Sequence, residues 1–298
     1  MRWGVIAVTA VILPACAPKL PPPVTTAQVS NSASSESMAL AQYYQDLQTT
    51  LLSQGLLRTD GGADMPLTAD MLATNFTRIA LNEEYAAGGS IAQSAAITLT
   101  RWRNPVRVSL TFGDSVPAAR QATDRARITA YLARLSKITG HPMGLSDSQP
   151  NFFITIANVD ERRSLGPAIH AALPQLSAAQ IAGVTNLDRS TYCLVWTQSD
   201  MQSGQYDRAY VYIPAEHPDL MRLACMHEEL AQGLGLPNDS DLTRPSIFND
   251  DEEFALLTRQ DELMLRILYD PALRSGMIEA EARPIITSLA NRLLGGNT

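Results

Sequence analysis

Hydrophobic residues recur with a helical period in three stretches of the first half of the chain. Residues 38–57 carry a broad apolar stripe with Gly55 as a stop, and residues 68–84 form a second helical segment. A third stripe ends at Gly140, where Ser115 is a suitable N-cap. Its apolar members are Ile128, Tyr131, Leu132, Leu135 and Ile138. Because residues three and four apart share one helix face, these patterns predict amphipathic helices.

Alternating apolar and polar residues predict strands around and after the third helix. The alternation is clearest in residues 101–112, where Pro105 suits a strand start. Further strands are predicted at residues 152–157, 192–197 and 209–213, with a segment rich in Ala and Pro between the first two. The order strand, long helix, three strands predicts an α/β (α+β) fold.

A helix that ends in glycines follows the last predicted strand. Asp219 is predicted to cap this motif helix, which runs into Gly233 and Gly235. A closing helix is predicted at residues 251–269 and a short final helix at residues 284–294.

Composition and charge exclude some partners. The chain has 298 residues, 45% of them hydrophobic and 18% charged, which is ordinary for a globular protein. Its formal net charge of -7 argues against binding nucleic acid or anionic lipid, because both require a basic face. The net charge alone does not identify which partner the protein binds.

The amino terminus has the pattern of a targeting segment. Arg2 precedes an apolar run, and residues 13–16, LPAC, resemble a lipobox. This predicts a signal peptide of residues 1–15, a lipid on Cys16 and a flexible tether of residues 16–37. Ala17, directly after the cysteine, resembles the outer-membrane sorting pattern. It therefore predicts a protein that is anchored in the outer membrane and faces the periplasm. The alternative is a soluble periplasmic protein cleaved near Ala15 or Ala17.

Two cysteines remain after the lipidation candidate. Cys193 and Cys225 form an even pair, which predicts a disulfide in an oxidising compartment. Two buried free thiols are the alternative. A disulfide would hold the motif helix against the strand that carries Cys193.

Residues 226–239, MHEELAQGLGLPND, resemble the metzincin metalloprotease signature H-E-x-x-H-x-x-G-x-x-H. In that signature two ligands share a helix face, a glutamate acts as the general base, and a glycine allows the chain to bend. On this template Glu229 takes the base position and Gly235 the bend. The ligand positions are occupied by Glu228, Gln232 and Asn238.

The segment after the motif resembles a Met-turn without its methionine. It follows Pro245 and comprises Ser246, Ile247, Phe248 and Asn249. Together with residues 246–250 and 265–271, the motif makes the chain resemble a bacterial envelope family, domain of unknown function 2927 (DUF2927), grouped with metzincin-like peptidases. The resemblance covers residues 190–277 and extends more loosely back to residue 67. It implies a metzincin-like zincin fold for residues 91–298, in which a mixed sheet packs on the long helix and the motif helix, with an N-terminal helical extension of residues 38–90.

The residues at the ligand positions are poor zinc ligands. A catalytic zinc takes three protein ligands, mostly neutral imidazoles, and the amide oxygens of Gln232 and Asn238 bind it weakly. We therefore expect no metal or other cofactor. His227 lies one residue before the first ligand position, about 100° around the helix, and is predicted to be exposed or capping. The other histidines, His141, His170 and His217, show no ligand spacing.

Glu228 and Glu229 have two possible roles without a metal. They could act as paired carboxylates, as in glycosidases, although adjacent helix residues point in different directions. Alternatively, Glu229 supports the fold by bonding to the backbone or to Gln232.

Three functions remain open at this point. The first is a non-catalytic envelope lipoprotein that binds a peptide, protein or cell-wall partner in the cleft. The second is a hydrolase that uses Glu229 as general base, and the third is a purely structural lipoprotein. An open cleft beneath an exposed edge strand, proposed at residues 209–213, would favour peptide binding by strand addition. A cleft filled by residues 38–84 would favour the structural function.

Overall fold

The structure, a computed structural model, describes residues 33–85, 91–200, 203–249 and 251–295. The predicted signal peptide, Cys16 and most of the predicted tether lie outside these residues. The end of the tether was predicted wrongly, because a helix already begins at Ser35. Within the described ranges, no helix combines the length and apolar character needed to cross a membrane.

In the described ranges, seven strands form a hairpin and a five-stranded mixed sheet. They are β1 (Asn82–Tyr85), β2 (Ile91–Ala96), β3 (Val106–Phe112), β4 (Met143–Leu145), β5 (Phe152–Ala157), β6 (Leu194–Ser199) and β7 (Tyr206–Pro214). β1 and β2 pair in the hairpin, and the sheet has the order β4-β3-β5-β7-β6. Among the described strands of the five-stranded sheet, only β6 runs antiparallel to its neighbour, and β1 and β2 are antiparallel to each other.

The predicted strands lie at the expected positions in the sequence, but the predicted edge strand is wrong. The predicted strands at residues 152–157, 192–197 and 209–213 are confirmed as β5, β6 and β7 with small shifts at the ends. However, residues 209–213 do not form an exposed edge, because β7 lies between β5 and β6. The edge strands of the five-stranded sheet are β4 and β6.

The described residues form nine helices. They are α1 (Ser35–Ser53), α2 (Ala69–Ala80), α3 (Ala118–Thr139), α4 (Val159–Arg162), α5 (Gly166–Ala172), α6 (Ala178–Thr185), α7 (Asp219–Gln232), α8 (Arg259–Leu268) and α9 (Glu279–Leu294). The long helix ends at Gly140 as predicted, with Gly140 in the left-handed conformation. The segment rich in Ala and Pro folds as α4, α5 and α6.

Helix starts account for most of the corrections. Ser115 does not cap α3, which begins after Pro117; instead Ser115 donates to the Glu161 carboxylate at 2.7 Å. Asp219 is the first residue of α7 and does not cap it. The second helical segment ends at Ala80, because residues 82–84 belong to β1.

The last two helices also begin at other residues than predicted. Residues 251–258 are not helical, and α8 begins after Thr258, whose hydroxyl accepts from the Asp261 amide. The final helix begins at Glu279, five residues before Pro284.

Both faces of β7 are buried, as expected for an internal strand of a largely parallel sheet. Ala209, Val211 and Ile213 enter the main core, to which α2, α3, α7, α8 and α9 contribute. Tyr210 and Tyr212 point to the opposite face and pack in a second cluster with residues of α5 and α6. This period of two places helices on both sides of the sheet and fixes α7 against one of them.

Candidate functional site

The motif helix α7 is held at its start by a buried ion pair. Arg222 and Asp124 of α3 are both fully buried, with the Arg222 Nε 3.0 Å from an Asp124 oxygen. The same guanidinium donates to the His217 carbonyl at 2.6 Å and to Asp219 at 2.7 Å. These bonds fix α7 to α3 and to the loop after β7.

The predicted disulfide between Cys193 and Cys225 is confirmed. Cys193 immediately precedes β6, and Cys225 lies in the middle of α7. The bond therefore joins the edge strand of the sheet to the motif helix, one turn before the two glutamates.

Glu228 and Glu229 lie close to each other beside this disulfide. Glu228 is half-buried and Glu229 is only 4% exposed. One carboxylate oxygen of each and the Cys193 sulfur all lie within 4.8 Å of one another. The expectation that the adjacent side chains diverge is therefore wrong, and the start of β6 lies next to two carboxylates.

The amides at the other two ligand positions are directed at protein groups. The Gln232 Nε2 donates to both oxygens of Asp239, at 2.9 and 2.8 Å. The Asn238 Nδ2 donates to the Arg78 carbonyl at the end of α2, at 2.9 Å. The two amides thus stabilise the loop after α7 and its contact with α2.

His227 is buried, so the prediction that it is exposed is wrong. Its ring stacks on Tyr131 with centroids 4.0 Å apart. Its Nδ1 accepts a hydrogen bond from the Leu257 backbone amide at 3.1 Å, and since Leu257 precedes the N-cap of α8, the ring does not cap a helix. Burial, with a smaller contribution from Arg134, lowers the pKa of His227 to about 3 and keeps the ring neutral.

The other histidines do not complete a metal site. His217 is fully buried beside Cys225, with its Nδ1 3.6 Å from the sulfur. His141 contacts the Asn104 carbonyl at 2.9 Å, and His170 is exposed on α5. Among the described residues, the group that could hold a cation contains no histidine. The donor set does not fit a catalytic zinc ion, because it has no imidazole and one sulfur engaged in a disulfide.

The Met-turn-like segment is organised by a residue that sequence reasoning missed. Asp261 is fully buried and accepts from the Ser246 hydroxyl at 2.5 Å and from the Ile247 amide at 3.1 Å. Thr258 also donates to this carboxylate. The spacing of Thr258 and Asp261, a capping pair, was the available signal. Phe248 follows in the main core, and the Asn249 side chain donates to the Thr243 carbonyl.

Helix α1 covers the first half of the motif helix. Tyr44 packs with Met221 and Ala224 of α7 in a third apolar cluster. The Gln48 side chain accepts from the Met221 backbone amide at 3.2 Å. Residues 38–57 therefore cover the turns of α7 that precede Glu228. A purely structural protein would have the cleft filled by residues 38–84, and this contact covers a part of the motif helix.

The outer edge of β6 differs from this covered surface. In the part of the chain that the structure describes, backbone hydrogen bonds join β6 only to β7. All six of its residues are half-buried, and the sequence LVWTQS contains neither a charge nor a proline. About half of the backbone amides and carbonyls of such an edge strand point away from its neighbour.

The glycine bend after α7 is built as the motif suggests. Gly235 has a φ of +123°, and a Cβ there would lie 2.3 Å from the Thr100 carbonyl oxygen. The indole of Trp102 donates to the Gly233 carbonyl at 2.7 Å, and Tyr269 donates to the Leu234 carbonyl at 3.0 Å. The bend requires glycine and is held by two aromatic side chains.

Replacing Gly235 with alanine should therefore destabilise the protein. We expect the free energy of unfolding to fall by about 1–3 kcal/mol, because alanine strains the backbone at this positive φ and its methyl group displaces the Thr100 carbonyl. Urea denaturation measures the loss. Gly183→Ala in α6 is the matched control, since a Cβ there meets nothing within 4 Å. Equal midpoints for the two variants would contradict the prediction.

Comparison with known proteins gives a family and no activity. No curated protein and no solved structure shows significant similarity to the chain. Residues 69–288, well over half of the sequence, match the model of a family described as a protein of unknown function, DUF2927. The match contains α2, the five-stranded sheet, the motif helix and the segment ordered by Asp261. The chain therefore belongs to the DUF2927 family.

Proposed function

We propose that this protein is a non-catalytic binding domain that takes up an extended peptide along the outer edge of β6. The observation that carries the proposal is the edge itself. Natural sheets protect exposed edges with charges, prolines, bulges or covering segments, because an open edge pairs with other chains. β6 has neither a charge nor a proline over six residues, and its first five residues pair with β7 in regular register. Such an edge suits strand addition.

The neighbouring carboxylates define the class of peptide. Glu228 and Glu229 lie within 4.8 Å of the Cys193 sulfur, immediately before β6. A strand paired with the beginning of β6 would pass these side chains. A Lys or Arg of the ligand would there meet two acidic side chains, and the net charge of -7 also favours a basic peptide.

The proposal includes a metzincin-like framework and an envelope location. The chain order β3, α3, β5, β6, β7 and α7, followed by the bend at Gly235, supports the framework. In such folds the cleft lies along the motif helix, which here carries no histidine at the ligand positions. A lipid on Cys16 would hold the domain at the outer membrane, facing periplasmic peptides or cell-wall partners.

Peptide selection tests the proposal directly. A random peptide library is selected on the immobilised protein from residue 17 onward, and the peptides are titrated by fluorescence polarisation. We expect basic peptides whose affinity falls about tenfold in Glu228→Gln, since a charge-assisted contact is worth about 1.5–3 kcal/mol. Glu279→Gln on α9 removes the same charge at an exposed position and serves as the control.

Hydrogen exchange locates the binding site in the same samples. The β6 amides that face away from β7 should exchange quickly in the free protein and become protected when a selected peptide binds. Peptides that bind without protecting β6, or a library that yields none, would contradict the proposal.

A hydrolase is the second candidate, favoured by one observation. Two carboxylates within 4.8 Å, one buried and one half-buried, are a possible acid and base pair. Mass spectrometry of the selected peptides after incubation separates the two functions. Cleavage that disappears in Glu229→Gln would replace binding by hydrolysis, whereas intact peptides support binding.

A further inference from the structure

An open cavity of about 580 Å³ lies behind the glycine bend, away from the two carboxylates. It is formed by the segment before β3, the end of α3, the β6–β7 turn and the residues after α8. The lining residues are Arg101, Trp102, Arg103, Thr139, Gly140, His141, Gln205, Tyr269, Arg274 and Ser275. Three of these are arginines and none is acidic, which is unusual on a protein with a net charge of -7.

Two of the arginines have no partner in the described part of the protein. Arg103 and Arg274 are exposed, and neither side chain forms a hydrogen bond or ion pair with any described residue. By contrast, the arginines at 58, 134, 163, 222, 244, 283 and 292 are all paired with carboxylates. The nearest acid along the chain, Asp270, is bonded to Arg292 at 2.8 Å.

Arg101 forms the inner wall of the cavity. Its guanidinium donates to three backbone carbonyls, those of Leu268, Asp270 and Leu273, and lies 5.7 Å from the centre of the Tyr269 ring. These contacts hold its position without a carboxylate. The cavity therefore has one cation held by three carbonyls and two exposed cations without a described partner.

We propose that this cavity binds a small anionic ligand through a phosphate or carboxylate group held by Arg103 and Arg274. Guanidinium groups bind both anions in a bidentate manner, which matches a pair of arginines on one cavity. Arg101 adds a fixed positive charge, and the Tyr269 and Trp102 rings form a wall against which the rest of a ligand packs. His141 adds no charge near neutral pH, because burial lowers its pKa.

The proposed site is independent of peptide binding at β6. It uses neither Glu228 nor the edge of β6. It does adjoin the motif, since Trp102 and Tyr269 also donate to the Gly233 and Leu234 carbonyls.

Isothermal titration with inorganic phosphate and, separately, citrate tests the site on the protein from residue 17 onward. We expect saturable binding of at least one anion, weakened about tenfold by Arg103→Gln or Arg274→Gln and lost in the double variant. Arg266→Gln removes an exposed arginine of α8 outside the cavity and should bind like the unmodified protein. Stronger binding of phosphate than of citrate, or the reverse, identifies the preferred group.

Vesicles distinguish a free anion from a lipid headgroup. Flotation with phosphatidylglycerol vesicles that depends on Arg103 and Arg274, and is absent with phosphatidylcholine, would assign the phosphate to a lipid. No saturable binding of either ion and no such flotation, or equal affinity in the double variant and Arg266→Gln, would overturn the proposal. Equal melting temperatures of the variants exclude loss of folding as the cause.

Discussion

Lowering the pH from 7 to 4 is expected to unfold the protein, because two buried histidines stay neutral in the folded state. Burial, aided by Arg222 at His217 and by Arg134 at His227, lowers the pKa of each ring from 6.5 to about 3. The unfolded chain takes up these protons below pH 6.5, and the folded chain only below about 3. The stability that the two rings contribute is therefore complete above pH 6.5 and is lost as the pH falls toward 3.

The size of this effect rivals the stability of a domain. At pH 4 the protonation of each histidine in the unfolded chain lowers the free energy of unfolding by about 3 kcal/mol, since one pKa unit corresponds to about 1.4 kcal/mol. Together they remove about 6 kcal/mol from a typical total of about 5–15 kcal/mol. The buried carboxyls of Glu216 and Asp261 act in the opposite direction, because burial raises their pKa and favours folding at lower pH. The protein should therefore lose several kcal/mol of stability between pH 6.5 and 4, and it unfolds if its stability at pH 7 lies at the low end of this range.

Urea denaturation at pH 7, 5.5 and 4 measures the dependence. His227→Gln preserves an acceptor for the Leu257 amide and should remove about half of the pH dependence, at some loss of stability at pH 7. His217→Gln should behave likewise, and the double variant should no longer lose stability between pH 6.5 and 4, because only the opposite contribution of Glu216 and Asp261 remains. His170→Gln, at an exposed position, is the control. An unchanged pH slope in the double variant would exclude this explanation.

Local patterns predicted the elements whose stability is local. The apolar stripe of α3 and Gly140 determine that helix, and β5 was predicted at its observed ends. The helix predicted to begin at residue 251 does not form over residues 251–258, and the reason is a tertiary contact. Although acidic residues favour a helix start, the carbonyls of Glu252 and Glu253 accept backbone bonds from Leu57 and Arg58. This pairing with the segment after α1 replaces the first turns of the predicted helix.

The site was predicted for its residues and not for its contacts. The motif predicted the bend at Gly235, which is confirmed, and singled out Glu228 and Glu229, whose roles stay predictions. It did not indicate that the Asn238 amide bonds to α2, 160 residues earlier, or that both carboxylates lie beside Cys193. Strand order is equally non-local, so the edge could not be assigned to β6 from alternation alone.

Replacing Arg222 with methionine should lower the free energy of unfolding by about 3–5 kcal/mol. The variant leaves the Asp124 carboxylate, which is fully buried, without its closest cation; Arg127, at 3.7 Å, is the remaining one. It also leaves the His217 carbonyl without its donor. Because a buried charge that loses its partner costs more than the ion pair contributes, most of the loss should come from the remaining aspartate.

A double-variant cycle separates the two contributions. If the uncompensated charge dominates, Arg222→Met with Asp124→Leu should be more stable than Arg222→Met alone, although both side chains are changed. Arg283→Met, which breaks the exposed pair with Glu279, should cost at most about 1 kcal/mol. Additive losses in the double variant would contradict the argument. The double variant could regain stability and yet show no protection of the β6 amides when peptide is added. This result would mean that the ion pair positions α7 for binding, because stability would be restored without binding.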